Sequence, residues 1–408
     1  MKLSTLNLGL LRNKYVGTIT IVQLIRILGR SQAWIFVPLY LANIRGVPYV
    51  VVGLLFFATA MITLPFSIYG GNFIDRIGRR IAAVWLPPIL IVLFMTIATV
   101  IYFRLPDYIL FATFLLVEPF TTIQGILDNV VITDTTSESE RTDAFSLTRI
   151  GGNVGFSIGP ALGGILSLFN YSYVFLVPGI LTVLEWFLYL RYITETKQPS
   201  AKSMRKLQFP SSDRPFVILC ILIASVWFVA GQWGTTLTLF WSRVDNISNT
   251  TIGLLYAVNG IAVVFLQIPT NWLFSRVKDY KRIAVGGLVY AFSFFALAFS
   301  SNILFLLVDV IFITIGENIL SPVAYSIIGK MAPAEKRGQY YGAFQLIIGL
   351  VMPIAPVIGT ILLTSFSGNP LMMWGPLMIL GVVISAIMMK FGNLEFIKDR
   401  RESTTTKI

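Results

Sequence analysis

Histidine is absent from the 408 residues and cysteine occurs once, at Cys220. The first absence excludes histidine metal ligands and any imidazole proton relay. The second excludes an intrachain disulfide and leaves Cys220, inside an apolar run, as a packed thiol. Charge is scarce as well: 12% of residues are charged against 56% hydrophobic, and the mean hydropathy is +0.79. One or two water-soluble cores cannot hide that much apolar surface, so the composition describes a polytopic membrane protein. No stretch reads G-x-x-x-x-G-K-[ST], which excludes a nucleotide-driven motor on this chain. No nucleophile stands beside a base and no sizeable soluble domain is visible, so an enzyme is not expected, nor a metal or other cofactor.

What is present is apolar length. A hydrocarbon core of ~30 Å takes ~20 apolar residues per helix. Twelve segments qualify, near 18–42, 48–69, 81–103, 108–132, 145–169, 172–194, 215–241, 252–273, 283–301, 303–328, 340–365 and 371–391. With the N-terminus placed in the cytoplasm, the inner segments collect 26 Lys and Arg, and the outer loops hold three, Arg45, Arg104 and Arg243. That asymmetry predicts cytoplasmic termini, and the cell membrane is the expected location. It also accounts for most of the formal charge of +12 as topology, so no nucleic-acid partner is expected. Lys2, Arg12 and Lys14 precede the first segment without a small-residue cleavage site, so that segment is expected to act as an uncleaved anchor. The N-x-[ST] sequons at Asn170, Asn246 and Asn249 all fall in predicted outer loops.

The stretch Glu195–Arg214 is the one extended polar linker. It divides a six-helix half, 1–194, from a second, 215–391, which a tail over 392–408 follows. Self-similarity supports the division. Shifted by 196 residues, Arg141 falls on Arg337, Pro160 on Pro356 and Gly163 on Gly359; shifted by 200, Asp75-Arg76 falls on Ser275-Arg276.

Between the second and third segments, Gly71-Asn-Phe-Ile-Asp75-Arg76-Ile-Gly78-Arg79-Arg80 reads as a tight polar turn. It resembles the G-x-L-A-D-R-x-G-R-R signature of the major facilitator superfamily, with Phe73 and Ile74 in place of its Leu and Ala. The fifth segment carries Gly155-x-x-x-Gly159-Pro160-x-x-Gly163-Gly164, similar to the pattern that marks antiporters in that superfamily. Small residues let helices approach closely and Pro160 removes a backbone donor; a generic packing seam is the alternative reading. The resemblance implies an all-α fold of twelve transmembrane helices in two six-helix halves, monomeric in the lipid bilayer, with a small-molecule substrate bound at the midplane between the halves. The chain looks most like twelve-helix proton-coupled drug and metabolite exporters.

Several side chains are candidates for that work. Glu317 in the tenth segment matches an acid that the exporters associate with proton coupling. A charged carboxylate near the bilayer middle costs a few kcal/mol, so it should bind a proton readily. Glu118 is a second candidate proton carrier, and Glu185 and Asp128 are further membrane charges. Arg26 and Arg30 lie one turn apart on the first segment; either can reach Glu118, while snorkelling to the headgroups is the bland alternative for both. Gln232, Trp233 and Asp309 are candidate cavity residues. The exporter pattern R-x-x-Q-G is broken at Thr121, ahead of Gln124-Gly125, which leaves an importer or facilitator open as an alternative, with a non-transporting receptor or scaffold as a third reading. By the resemblance, Arg79 should pair with Asp134, and Asp75 should sit by the N-terminus of the eleventh segment, locking an inner gate. Simple positive-inside anchoring explains the arginines but not Asp75 or the glycines.

Overall fold

A computed structural model describes residues 7–196, 209–210, 213–333 and 336–392, and these form helices and connecting turns, without a strand. Most of the linker, including Lys197, Pro199, Lys202, Arg205 and Lys206, lies outside the described residues, as do Glu335 and 393–408. The helices are α1 Lys14–Trp34, α2 Val37–Leu39, α3 Tyr49–Ile77, α4 Arg79–Tyr102, α5 Asp107–Thr135, α6 Arg141–Phe169, α7 Tyr171–Tyr192, α8 Arg214–Ala230, α9 Thr235–Arg243, α10 Asn249–Leu273, α11 Asp279–Ala296, α12 Ile303–Met331, α13 Arg337–Val351, α14 Ile354–Phe366 and α15 Pro370–Phe391.

Among the described residues, ten spans are long and apolar enough to cross a bilayer, counting Arg214–Arg243 and Arg337–Phe366 as one each. The other two of the twelve expected are α1, whose hydropathy Gln23, Arg26, Arg30 and Gln32 depress, and α11, which opens with Asp279, Lys281 and Arg282. Three expected spans are interrupted rather than continuous. The first breaks at Ile35 and Phe36, just ahead of Pro38, and after the short turn α2 finishes as the π turn Tyr40–Ile44. Gly231 and Gly234 flank the 3-10 turn between α8 and α9, and Pro353 separates α13 from α14. The polar stretch after the second span also differs from the expected tight turn. Ile74 is fully buried and keeps Gly71–Ile77 helical as the end of α3. The reversal falls on Gly78 alone, at φ 92°.

The chain clusters into two compact units, one built from α1–α7 with Asn246–Ile261, the other from α8, α9 and the chain from Ala262 onward. In the first, α1 lies along α6 and α7, α4 along α7, and α3 along α5. Lipid tails are as apolar as leucine, so close approach rather than the hydrophobic effect must hold such helices together. The α6 glycines supply it. A Cβ at Gly151, Gly155, Gly159 or Gly163 would strike the α1 backbone at Thr20, Leu24, Leu28 and Gln32 respectively, a contact every fourth residue along one helix face. Gly164 and Pro160 turn instead towards the start of α10, against Asn249 and Gly253.

In the second unit α11 packs on α12 and α15, and α8 on α13 and α15. The rings of Phe294 and Trp374 stack at 5.5 Å, with Phe240 edge-on to Trp374 at 5.2 Å. The sequence repeat has a counterpart in packing. Gly163 meets Gln32 and Phe36, and Gly359 meets Gln232 and Thr236, so one glycine seat recurs with the 200-residue offset on one helix and 196 on the other.

Between α9 and α10, Asp245 is half-buried and its Oδ2 has no hydrogen-bond partner among the described residues. Burial pushes its carboxyl up to about 7. The folded protein therefore holds this proton where the unfolded chain, near ~4, has lost it. The stability so gained is complete at low pH and disappears as pH rises through about 7. Asp245→Asn is expected to leave the melting temperature in nanodiscs unchanged at pH 4 and to raise it at pH 8; equal effects at both would contradict the assignment.

Candidate functional site

Periodicity brings the membrane charges of the first unit together. Gln23, Arg26 and Arg30 share one stripe of α1; Gln124 and Asp128 are one turn apart on α5, as are Glu185 and Tyr189 on α7. Where these stripes face one another, Arg26 is 9% exposed, and Asp128, Glu185 and Tyr189 are each 1% exposed. Arg26 Nη1 donates to Asp128 Oδ2 at 2.7 Å, while its Nε donates to Glu185 Oε1 at 3.0 Å and its Nη2 reaches the same oxygen. Nη2 also donates to Tyr189 Oη at 2.6 Å. Gln124 Nε2 donates to Glu185 Oε1 at 2.7 Å, Gln23 Nε2 to Asp128 Oδ2 at 3.2 Å, and Tyr189 Oη to Asp128 Oδ1 at 2.5 Å. Arg26 is thus an internal ion-pair centre and not a snorkelling side chain. Isolated buried charges in membrane helices are costly, so mutual pairing is how such residues persist.

One turn further along α1, Arg30 Nη2 meets Glu118 Oε1 at 2.5 Å. This pair is more open than the Arg26 cluster, with the Arg30 side chain 40% exposed and that of Glu118 17%. It borders a narrow crevice with Trp34, Phe94, Phe114 and Phe175. A second crevice, which also touches Arg30 and Phe94, runs past Thr121 and Thr182 to Glu185. Thr121, at the place of the missing arginine, gives its hydroxyl proton to Val117 O at 2.8 Å. The positive charge on this face comes from α1 instead.

The Gly78 reversal is tied on four sides. Arg79 binds Asp134 through Nε and Asp75 through Nη1, both at 2.9 Å. Arg80 Nη1 donates to the carbonyls of Tyr189, Leu190 and Ile193, closing the C-terminal end of α7. Glu195 takes the backbone N–H groups of Arg79 and Arg80, each at 3.2 Å, at the positive N-terminus of α4. Thr196 Oγ1 adds a bond to Asp134 at 3.1 Å. Arg76 extends the basic end of α3, and Gly71 has open space where a Cβ would stand. Glycine is required at position 78 twice over, by its positive φ and because a Cβ would press on the Glu195 carboxylate. Gly78→Ala is expected to cost about 1–3 kcal/mol, read as a lowered melting temperature, whereas Gly71→Ala, in open space within α3, should not lower it.

In the second unit Gln232 is engaged with the fold. It is fully buried, donates Nε2 to Ala355 O at 3.1 Å and accepts from Thr236 Oγ1 at 2.7 Å, bridging the α8–α9 break to α14. Trp233 packs edge-on against Trp241 at 6.1 Å. Asp309 is 5% exposed and its Oδ2 has no hydrogen-bond partner among the described residues. Glu317 is half-buried beside Gly316, where α12 crosses Val289 and Tyr290 of α11. No group of three carboxylates or thiols able to hold a metal ion occurs among the described residues. Sequence reasoning missed Tyr189, Gln23 and Glu195 as partners. The repeated one-turn spacing of polar residues on α5 and α7 was the available signal for the first cluster; Glu195 binds backbone and leaves no side-chain pattern.

Known proteins agree with this architecture. The sequence profile of the Major Facilitator Superfamily matches residues 19–313 and 235–407. The chain is 26% identical over 356 residues to the uncharacterized MFS-type transporter YttB of Bacillus subtilis, covering 84% of this chain and 86% of that protein. It is 24% identical over 341 residues to a Na(+), Li(+), K(+)/H(+) antiporter of Planococcus maritimus, covering 75% and 80%. Among solved structures, that of the nucleoside transporter NupG superposes with a TM-score of 0.77 at 11% identity, over 92% of this chain and 99% of the other. A polytopic helical chain matched by that profile along almost its whole length belongs to the major facilitator superfamily and is a membrane transporter, not an enzyme.

Proposed function

We propose that the chain is a plasma-membrane exporter that exchanges protons for a small organic cation by alternating access between two halves, 1–194 and 215–391, with both termini cytoplasmic. One observation carries the reading: the Arg30–Glu118 pair borders a crevice walled by Trp34, Phe94, Phe114 and Phe175. Aromatic faces attract an organic cation, and Glu118 offers it a carboxylate. A proton on that carboxylate removes the charge the cation needs, so proton and cation compete for one site. Competition of this kind is the thermodynamic requirement for exchange. Glu317 serves as the corresponding proton carrier of the second half, with Asp309 as a further buried acid. Asp75, Arg76, Arg79, Arg80 and Asp134 hold the gate, and the glycines of α6 seat α1 closely, so that the first half moves as one body. The G-x-x-x-G-P-x-x-G-G pattern supports exchange over uptake, as does the antiporter among the relatives.

Binding of ethidium, as a fluorescent organic cation, to the purified chain is expected to weaken as pH falls. Glu118→Gln should lose both the tight binding and its pH dependence. Unchanged pH-dependent binding in that variant would overturn the role of Glu118. The absence of an arginine at Thr121 favours one rival, a facilitator or importer; the direction of ethidium flux under an imposed proton gradient separates the two.

A further inference from the structure

We propose that the buried cluster of Arg26, Asp128, Glu185, Tyr189 and Gln124 is a second proton-binding site within the first unit, in which Asp128 is the standing counter-ion of Arg26 and Glu185 carries the exchangeable proton. The inference does not depend on the exporter reading, since it concerns charge inside one helical unit.

Charge balance is the first argument. One guanidinium faces two carboxylates, all at most 9% exposed. With both acids ionised the cluster carries one uncompensated negative charge in a low-dielectric interior, and neutralisation is the usual escape from that cost. Among the described residues, the groups that face Glu185 supply no second cation. Arg26 comes from α1, Asp128 from α5 and Tyr189 from its own helix, while α4 brings Leu90 and Phe94. Arg30 lines the same crevice but is already paired with Glu118.

Hydrogen bonding then separates the two acids. Asp128 accepts on both oxygens, from Tyr189 Oη on Oδ1 and from Arg26 and Gln23 on Oδ2, as an ionised carboxylate does. Glu185 takes all three of its donors on Oε1, leaving Oε2 for a proton. A proton there supplies the missing charge without displacing any of those bonds. Access exists as well, because the crevice lined by Glu185, Thr121 and Thr182 also reaches Arg30.

The test is infrared spectroscopy of the purified full-length chain in nanodiscs at pH 7, read in the protonated-carboxyl C=O stretch. Glu185→Gln is expected to remove one carboxyl's worth of that band. Asp128→Asn is expected to remove it too, because Glu185 must then ionise to balance Arg26. A band unchanged in both variants would show that Glu185 is permanently ionised and overturn the proposal; loss in Glu185→Gln with retention in Asp128→Asn would overturn the division of roles. If Glu185→Gln does not fold, the Asp128→Asn spectrum decides alone. Glu118→Gln and Glu317→Gln, measured alongside, report the other carriers, so failure here leaves the exporter reading standing and failure there leaves this one.

Discussion

Replacing Arg26 with Gln is expected to destabilise the protein by about 3–5 kcal/mol, the largest loss of stability of any substitution considered. The side chain joins α1 to α5 through Asp128 and to α7 through Glu185 and Tyr189. Its removal leaves at least one ionised carboxylate buried without a counter-ion, and that penalty, more than the lost bonds, sets the size of the effect. The double variant Arg26→Gln with Asp128→Asn is therefore expected to melt above the single one, because it removes the stranded charge. Melting in nanodiscs checks both. A single variant as stable as the parent would mean that the cluster does not hold these helices together.

The second large effect falls on activity. Glu317→Gln is expected to reduce proton-driven transport to the background of empty liposomes while ethidium binding stays within a factor of about two. Glutamine keeps the size and hydrogen-bonding capacity of the acid but cannot release a proton, so it removes exchange and not shape. Glu317 lies half-buried in the middle of α12, where a carboxylate is costly when charged. Loss of binding in parallel with transport would assign Glu317 a structural part instead.

The sequence announced the helices because each must present some twenty apolar residues, and the likeness of Gly71–Arg80 to the superfamily signature pointed to the pair of Arg79 and Asp134. It did not announce the partners of Arg26. Which acid faces which arginine depends on the rotation of each helix about its axis, and that rotation is set by glycine seats such as Gly155 on Leu24 and Gly159 on Leu28, not by the charges themselves. Asp128 and Glu185 were visible as membrane charges, yet nothing in composition joined positions 57 residues apart. The interruptions were legible only in part. Pro38 and Pro353 carry a known backbone cost, yet Pro65, Pro119 and Pro178 lie inside unbroken helices, and glycines such as Gly231 and Gly234 are likewise frequent in membrane spans. Glu195 escaped notice because it stands at the head of a polar linker and binds two backbone amides.

The most direct measurement is ethidium movement in proteoliposomes with and without an imposed pH gradient. Exchange through Glu118 requires accumulation on the acidic side that collapses when the gradient is dissipated and is absent from liposomes bearing Glu118→Gln. Ethidium flux of equal rate and extent with and without the gradient would contradict it.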